Sequence, residues 1–156
     1  MTINRVTSGH PAFAALVRLL DEELVDRDGA DHPFYAQFNR IDSIRSVVLA
    51  FDGDTAVGCG AIKEYAPGTM EVKRMFVLPD RRGEGVATRV LQELERWAVE
   101  MGASRCILET GKKQPEAIGL YGKSGYSVIP NYGQYAGVEN SVCFEKVLAG
   151  REGVRS

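Results

Sequence analysis

The chain has 156 residues, of which 44% are hydrophobic and 26% are charged, a balance typical of a globular domain with a buried core. Its formal net charge is −2, so no basic field indicates nucleic-acid binding, and any anion site must be local. No apolar run approaches the ~20 residues that span a bilayer, and the N-terminus lacks the apolar core of a signal peptide. These features favour a cytoplasmic protein with neither a nucleic-acid nor a membrane partner.

The three cysteines, Cys59, Cys106 and Cys143, are far apart and lie in apolar, strand-like runs. The simplest interpretation is that they are buried small side chains. A metal site needs clustered ligands, and neither histidine is near a cysteine in the sequence, so we expect no metal cofactor. No internal repeat is present. The composition predicts a single domain over residues 1–149, with a disordered C-terminal tail at 150–156.

In the first half of the chain, the residue patterns predict helices followed by an antiparallel meander. Apolar side chains recur at helical spacing from residue 11 onward, and Pro11 suits a first helical turn. An Asp-Gly pair at 52–53 marks a hairpin turn. The predicted elements are a strand at 2–7, helices at 11–27 and 34–41, and strands at 46–52, 55–65 and 69–78.

In the second half, the patterns predict parallel strand pairing. A helix begins after Gly85, has one apolar face and ends at Gly102. A strand, a helix and a strand in this order form a βαβ unit, so the strands at 69–78 and 104–110 should be parallel. The remaining elements are a short helix at 114–125, strands at 126–129 and 141–148, and a polar, aromatic loop between them. The sequence thus predicts an α/β fold with a central mixed, twisted sheet, an antiparallel N-terminal half, a parallel centre and flanking helices.

The loop PDRRGEGVAT, at residues 79–88, joins the last meander strand to the long helix. A helix N-terminus leaves N–H groups unpaired and carries about half a positive charge. Glycines let the backbone approach an anion closely, while Arg81 and Arg82 add full charges. The glycines match neither the P-loop pattern nor the dinucleotide fingerprint. By itself, the loop therefore fits either a phosphate-binding site or a mobile turn at a helix start.

Two motifs resemble those of the GNAT family of N-acetyltransferases. The stretch Arg82 to Ala87 resembles the family's Arg/Gln-x-x-Gly-x-Gly/Ala signature. The segment QPEAIGLYGKSGY, at 114–126, resembles its Asn-x-x-Ala-x-x-Leu-Tyr-x-x-x-Gly-Phe/Tyr segment, with Gln114 where the family often has Asn. The order of the elements also agrees over about residues 2–148. The resemblance implies the GNAT fold.

The resemblance also implies that acetyl-coenzyme A (acetyl-CoA) is the cosubstrate. In this family, backbone N–H groups of the loop bind the pyrophosphate, which here means the amides from Gly83 to Thr88, with Arg81 and Arg82 at the rim. A backbone N–H of the preceding strand stabilises the carbonyl oxygen, and Tyr121 matches the acid that protonates the leaving thiolate. Alternatively, Tyr121 is a packing aromatic. The implied cofactor-binding residues are Phe76, Val77, Arg81, Arg82, Gly83, Glu84, Gly85, Val86, Ala87, Thr88, Gln114, Ala117 and Tyr121.

The acceptor amine must lose a proton before it attacks, since an alkyl ammonium has a pKa near ~10.4. Some family members use a glutamate at the place of Glu71, directly or through water. Regular alternation along the strand would put Glu71 on the same face as Val77. Glu109, near the end of the next strand, is a rival base, and ordered water is a third option. Alternatively, Glu71 is a solvated carboxylate paired with a neighbouring basic side chain.

In this family, the acceptor pocket is built from the first helices, the loop before the last strand and the front strands. Tyrosine suits such walls because it offers both a ring and a hydroxyl. Arg74 could receive a substrate carboxylate, or it could be a surface charge on an edge strand. The implied substrate-binding residues are Phe34, Tyr35, Arg74, Tyr132 and Tyr135.

The leading hypothesis is acetyl transfer from acetyl-CoA to a primary amine of a small molecule, by direct attack on the thioester. One alternative is a protein N-terminus or lysine as acceptor, and another is a non-catalytic, CoA-binding regulatory domain. The tyrosine-rich loop at 130–137 suggests a lid, which favours a small acceptor. Retention of Tyr121 argues against a pure binder. Homodimers are common among similar proteins, so a homodimer is one possible state, but the sequence does not fix the oligomeric state.

Overall fold

The computed structural model describes residues 1–31, 33 and 44–148, and in that part of the chain it has three α-helices and a mixed seven-stranded sheet. The strand order is β1-β2-β3-β4-β5-β7-β6. The elements are β1 (Thr2–Val6), α1 (Pro11–Asp28), β2 (Ser46–Asp52), β3 (Thr55–Ala66), β4 (Thr69–Val77), α2 (Val86–Glu100), β5 (Arg105–Gly111), α3 (Pro115–Lys123), β6 (Ser127–Ile129) and β7 (Ser141–Val147).

The predicted α/β fold with its mixed sheet is confirmed. The short helix predicted at 34–41 lies outside the described residues, as does the tail at 150–156. None of the described helices is long and apolar enough to cross a membrane.

The described residues divide into two compact units. The first is drawn from Met1–Lys63 and Val72–Arg96, and the second from Glu64–Glu71 and the chain from Trp97 onward. Strands β3 and β4 and helix α2 each contribute residues to both units. A single domain over residues 1–149 stays a prediction.

The first unit contains the antiparallel half of the sheet. Strand β2 pairs antiparallel with both β1 and β3, and the β2–β3 pairing is the hairpin that the Asp-Gly turn predicts. Helix α1 begins at Pro11, and the N–H of Ala12 donates to Nδ1 of His10, 3.1 Å away, which caps the helix. The helix packs its apolar face on the sheet. The core there consists of Phe13, Leu16, Val17, Leu20, Leu24, Ile44, Val47, Leu49, Cys59, Ala61 and Phe76.

Helix α2 lies close against β3 in this unit because β3 carries two glycines where the helix crosses it. A Cβ at Gly58 would lie 2.7 Å from Cγ1 of Val86 and 3.3 Å from the backbone oxygen of Phe76. A Cβ at Gly60 would lie 2.9 Å from Cδ1 of Leu94. Because the interior is close-packed, no side chain fits there without displacing the helix or the neighbouring strand.

We therefore expect Gly58→Ala to lower the free energy of unfolding by about 1–3 kcal/mol, the usual cost of overpacking. Denaturant titration measures this change. Gly119→Ala is the matched control, because Gly119 is exposed within α3 with no atom near its would-be Cβ among the described residues. Alanine should there stabilise the helix by about 0.5–1 kcal/mol. Equal effects at both positions would contradict the packing argument.

The second unit contains the parallel pairing. The first residues of β4 pair with β5, so that Thr69, Met70 and Glu71 lie beside Arg105, Cys106 and Ile107. This confirms the predicted βαβ unit. Strand β7 pairs antiparallel with β5 and with the short strand β6.

The backbone of β4 is irregular at Arg74, which has a φ of +59° although it is not a glycine. A left-handed residue interrupts the two-residue alternation of a strand, so alternation does not place Glu71 and Val77 on one face. Such a conformation costs of order 1–3 kcal/mol and needs support from its surroundings. Arg74 is also only 6% exposed, so its interpretation as a surface charge on an edge strand is wrong.

Candidate active site

In the first unit, the loop from Pro79 to Gly85 turns the chain from β4 into α2. Gly83 (φ +81°) and Gly85 (φ +84°) both have left-handed backbone, and among the described residues a Cβ on either would meet no atom within 4 Å. The glycines thus serve the backbone conformation rather than close packing. The N–H of Arg89 donates to the oxygen of Gly85 at 3.1 Å, so the amides just before Arg89 belong to the unpaired start of the helix. This arrangement suits an anion such as phosphate.

The arginines of this loop are engaged with protein groups. Nη1 of Arg81 donates to Asp52 at 2.8 Å, and its Nε donates to Glu84 at 3.0 Å. Nε of Arg82 donates to the backbone oxygen of Val77 at 2.9 Å. These bonds brace the loop against the ends of β2 and β4. The backbone amides are therefore better placed than the arginine side chains to act as the main anion donors.

Phe76 and Val77, the predicted neighbours of the thioester carbonyl, are buried at the end of β4, at 6% and 7% exposure. The guanidinium of Arg82 lies 5.4 Å from the centre of the Phe76 ring, a cation–π contact. The next residue, Leu78, donates its N–H to the oxygen of Val57 at 2.9 Å. This end of the strand is thus held firmly. Which N–H stabilises the carbonyl stays a prediction.

In the second unit, two carboxylates share one face of the sheet. Glu71 lies beside Ile107, and Glu109 is two residues further along β5, so the side chains point to the same side. Oε2 of Glu71 accepts a hydrogen bond from the hydroxyl of Tyr132 at 2.7 Å. Oε2 of Glu109 accepts one from the hydroxyl of Ser141, also at 2.7 Å. Glu71 is only 7% exposed, which argues against a solvated strand carboxylate.

Three tyrosines surround these carboxylates with neutral hydroxyls. Burial, and next the charge of Glu71, raise the pKa of Tyr132 far above its ordinary value. Burial followed by the charges of Glu109 and Glu71 raises the pKa of Tyr135. Burial and the charge of Glu109 likewise raise the pKa of Tyr121. All three hydroxyls therefore keep their protons well above neutral pH, and that of Tyr132 donates to Glu71.

Tyr121 lies on α3 and is 6% exposed, packed against the rings of Tyr126 and Phe144 at centroid distances of 5.7 and 6.0 Å. The helix begins after Gln114, whose backbone oxygen accepts from the N–H of Ala117 at 3.1 Å. These contacts hold the phenol rigidly. The same contacts would be made if Tyr121 were only a packing aromatic. A test of its role must therefore remove the hydroxyl and keep the ring.

Arg74 does not lie open to receive a substrate carboxylate. Its guanidinium pairs with the carboxylate of Asp21 on α1, and its side chain is only 2% exposed. Among the described residues, its Nε has no hydrogen-bond partner. The other expected substrate contacts from the N-terminal half, Phe34 and Tyr35, lie outside the described residues.

The structure brings Glu71, Tyr132 and Tyr135 together in the second unit, and the loop residues 81–88 together in the first. Sequence reasoning missed Ser141 as the partner of Glu109. It also missed Tyr65, whose ring meets that of Tyr132 edge-on at 5.1 Å. Neither residue belongs to a recognisable motif. A serine opening a strand and a tyrosine near the end of one carry no local sign of their partners.

Comparison with known proteins agrees with these features. The sequence model described as the acetyltransferase (GNAT) family matches residues 13–126. An IAA acetyltransferase of Azospirillum brasilense is 37% identical over 151 residues, which cover 95% of this chain and 98% of the relative. A solved structure from Klebsiella pneumoniae, of a proposed acyl-CoA N-acyltransferase, has a TM-score of 0.77 at 29% identity, covering 94% of this chain and 97% of that one.

A GNAT acetyltransferase of Elizabethkingia anophelis, solved with acetyl-CoA bound, shares the fold with a TM-score of 0.69 at 19% identity, over 94% of this chain and 97% of that one. The two motifs, the strand order and the matched family model lead to one conclusion. The chain belongs to the GNAT family and is an N-acetyltransferase.

Proposed function

We propose that this enzyme transfers an acetyl group from acetyl-CoA to a primary amine of a small molecule, by direct attack of the amine on the thioester. The observation that carries the proposal is the buried carboxylate of Glu71, bonded to a neutral tyrosine hydroxyl at 2.7 Å. A buried, hydrogen-bonded carboxylate is suited to remove a proton from an ammonium group. The same unit holds Tyr121, a buried phenol that keeps its proton.

The geometry of the loop in the first unit supports binding of acetyl-CoA there. The left-handed glycines at 83 and 85 shape a turn that leads into the unpaired amides of α2. These amides would bind the pyrophosphate, helped by the positive end of the helix. Arg81 and Arg82 would assist mainly by bracing the loop.

In the proposed reaction, Glu71 takes a proton from the acceptor ammonium, and a new C–N bond forms as the C–S bond of the thioester breaks. A backbone N–H near Phe76 or Val77 donates to the carbonyl oxygen, where negative charge develops. Tyr121 gives its proton to the departing thiolate. The nitrogen loses two protons as the ammonium becomes an amide: one passes to Glu71 and then to solvent, and the other offsets the proton that Tyr121 gives to the sulfur. Acetyl transfer from an ammonium therefore releases one proton overall.

The small size of the acceptor is supported by the tyrosines and by the relatives. Tyr65, Tyr132 and Tyr135 form a contiguous aromatic cluster, with ring centroids 5.1 and 5.8 Å apart. Aromatic walls with hydroxyl groups suit a compact organic acceptor. The Azospirillum relative, which matches over nearly its whole length, is named for the small molecule IAA.

The proposal is tested with a panel of amines, amino acids, IAA and a lysine-containing peptide, by measuring thiol release and the mass of each product. We expect acetylation of one or more small amines, and Glu71→Gln should lower kcat/KM by about 10²–10⁴-fold and remove the acidic limb of its pH profile. Glu109→Gln is the matched control and should keep that limb. Transfer to the peptide alone would favour a protein acceptor. Calorimetric binding of acetyl-CoA without turnover of any acceptor would indicate a CoA-binding domain.

A further inference from the structure

Tyr132 follows β6 in the loop that leads to β7, and its hydroxyl donates to Glu71 at 2.7 Å. An ionised carboxylate that is nearly buried is costly unless donors satisfy it. A hydroxyl–carboxylate bond is charge-assisted and among the stronger hydrogen bonds in proteins. The phenol thus satisfies one oxygen of the Glu71 carboxylate and restricts its rotation.

The position of this hydroxyl is determined by packing. The ring of Tyr132 meets Tyr65 at 5.1 Å and Tyr135 at 5.8 Å, both edge to face, at interplanar angles of 74° and 87°. The preceding residue, Asn131, donates from Nδ2 to the backbone oxygens of Val138 and Ser141, at 2.9 and 3.1 Å. These bonds close the loop at its base. The loop therefore presents the phenol to Glu71 in one orientation.

Three of the groups that interact electrostatically with Glu71 come from the loop between β6 and β7 and from β7 itself. Tyr132 and Tyr135 come from the loop, and Cys143 comes from β7, where burial first of all raises the pKa of its thiol. Glu109, on β5, interacts in turn with Tyr135 and Cys143. The tyrosines and the thiol are neutral near pH 7. Of these groups, Tyr132 is the one that donates a hydrogen bond to Glu71.

We propose that Tyr132 is a positioning residue, which holds the carboxylate of Glu71 in the orientation that removes the acceptor's proton. Its hydroxyl positions the carboxylate of Glu71, while its ring remains part of the aromatic cluster. This inference rests on the proposed function, in which Glu71 is the general base.

The test combines NMR titration with kinetics in Tyr132→Phe, using protein labelled with ¹³C at the glutamate carboxyls. The resonance that disappears in Glu71→Gln identifies Glu71. In Tyr132→Phe, we expect its titration midpoint to rise by about one pH unit, since a hydrogen bond to a charged group contributes about that much. The acidic limb of the pH profile of kcat/KM, measured with the best amine of the panel, should move by the same amount. Tyr126→Phe makes the same chemical change at a tyrosine outside the aromatic cluster and should move neither.

The outcomes separate this inference from the proposed function. An unchanged Glu71 titration in Tyr132→Phe overturns the inference, whatever the activity. A shifted titration with an unshifted kinetic limb also overturns it, because Glu71 would then not be the base, although acetyl transfer itself would stand. Failure of the wild-type enzyme to acetylate any acceptor contradicts the proposed function, and with it a role for Tyr132 in catalysis. Thermal unfolding of both tyrosine variants checks that the fold is retained.

Discussion

Replacing Tyr121 by phenylalanine should lower kcat by about 10²–10⁴-fold while leaving the Kd for acetyl-CoA almost unchanged. The phenyl ring keeps the contacts with Tyr126 and Phe144, so the cofactor side of α3 should not rearrange. The variant loses only the hydroxyl, which burial and the charge of Glu109 keep protonated. Without that hydroxyl, the leaving thiolate has no proton donor, so the barrier for breaking the C–S bond rises. Steady-state kinetics with calorimetry of CoA binding measures both quantities.

Tyr126→Phe is the matched control for this experiment. The Tyr126 ring packs edge to face on Tyr121, and it lies 5.8 Å from the ammonium of Lys146. The same chemical change at this neighbour should leave kcat nearly unaltered. If Tyr121→Phe also left kcat unaltered, Tyr121 would be a packing aromatic, and the proton for the thiolate would have to come from water.

Replacing Gly85 by valine should weaken acetyl-CoA binding by about tenfold or more. Gly85 has a φ of +84°, which a β-branched residue adopts only at a cost of order 1–3 kcal/mol. The backbone would relax towards a negative φ and turn the following amides of α2 away from the pyrophosphate. Arg81→Ala should weaken binding by less, roughly fivefold at most, because its guanidinium already pairs with Asp52 and Glu84. Isothermal titration with acetyl-CoA compares the two variants.

Gly102→Val provides the strain control for Gly85. Gly102 follows the end of α2 and has a φ of +91°, and among the described residues nothing lies within 4 Å of its would-be Cβ. Valine there carries the same backbone strain but leaves the loop at the start of α2 untouched. It should lower the melting temperature and keep CoA affinity. A larger loss of affinity in Arg81→Ala than in Gly85→Val would show that the arginine, and not the backbone, provides the main contact.

The sequence predicted the fold well because its signals are local. Helical spacing located α1 and α2 to within a residue or two, and the Asp-Gly pair located the β2–β3 hairpin. The order strand, helix, strand predicted parallel pairing of β4 with β5, as observed. Alternation along β4 was a poorer guide, since the left-handed backbone at Arg74 is not visible in the sequence.

The candidate site was predictable only where its residues belong to motifs. The loop from Arg82 to Ala87 and the segment containing Tyr121 are contiguous patterns, so the sequence identified both. Arg74 was expected on the surface or in contact with a substrate, and instead it is buried against Asp21, 53 residues away. Nothing near Arg74 in the sequence indicates that partner.

By itself, the sequence determined the order of the elements, the glycine loop at the start of α2 and the place of Tyr121 on α3, because periodicity, turns and motifs act over a few residues. Only the tertiary structure decided which side chains meet. Tyr132 reaches Glu71 across 61 residues of chain, and α2 packs on Gly58 of β3, which precedes it in the sequence. Such contacts depend on how the strands pair and how the loop between β6 and β7 closes, so no local pattern encodes them.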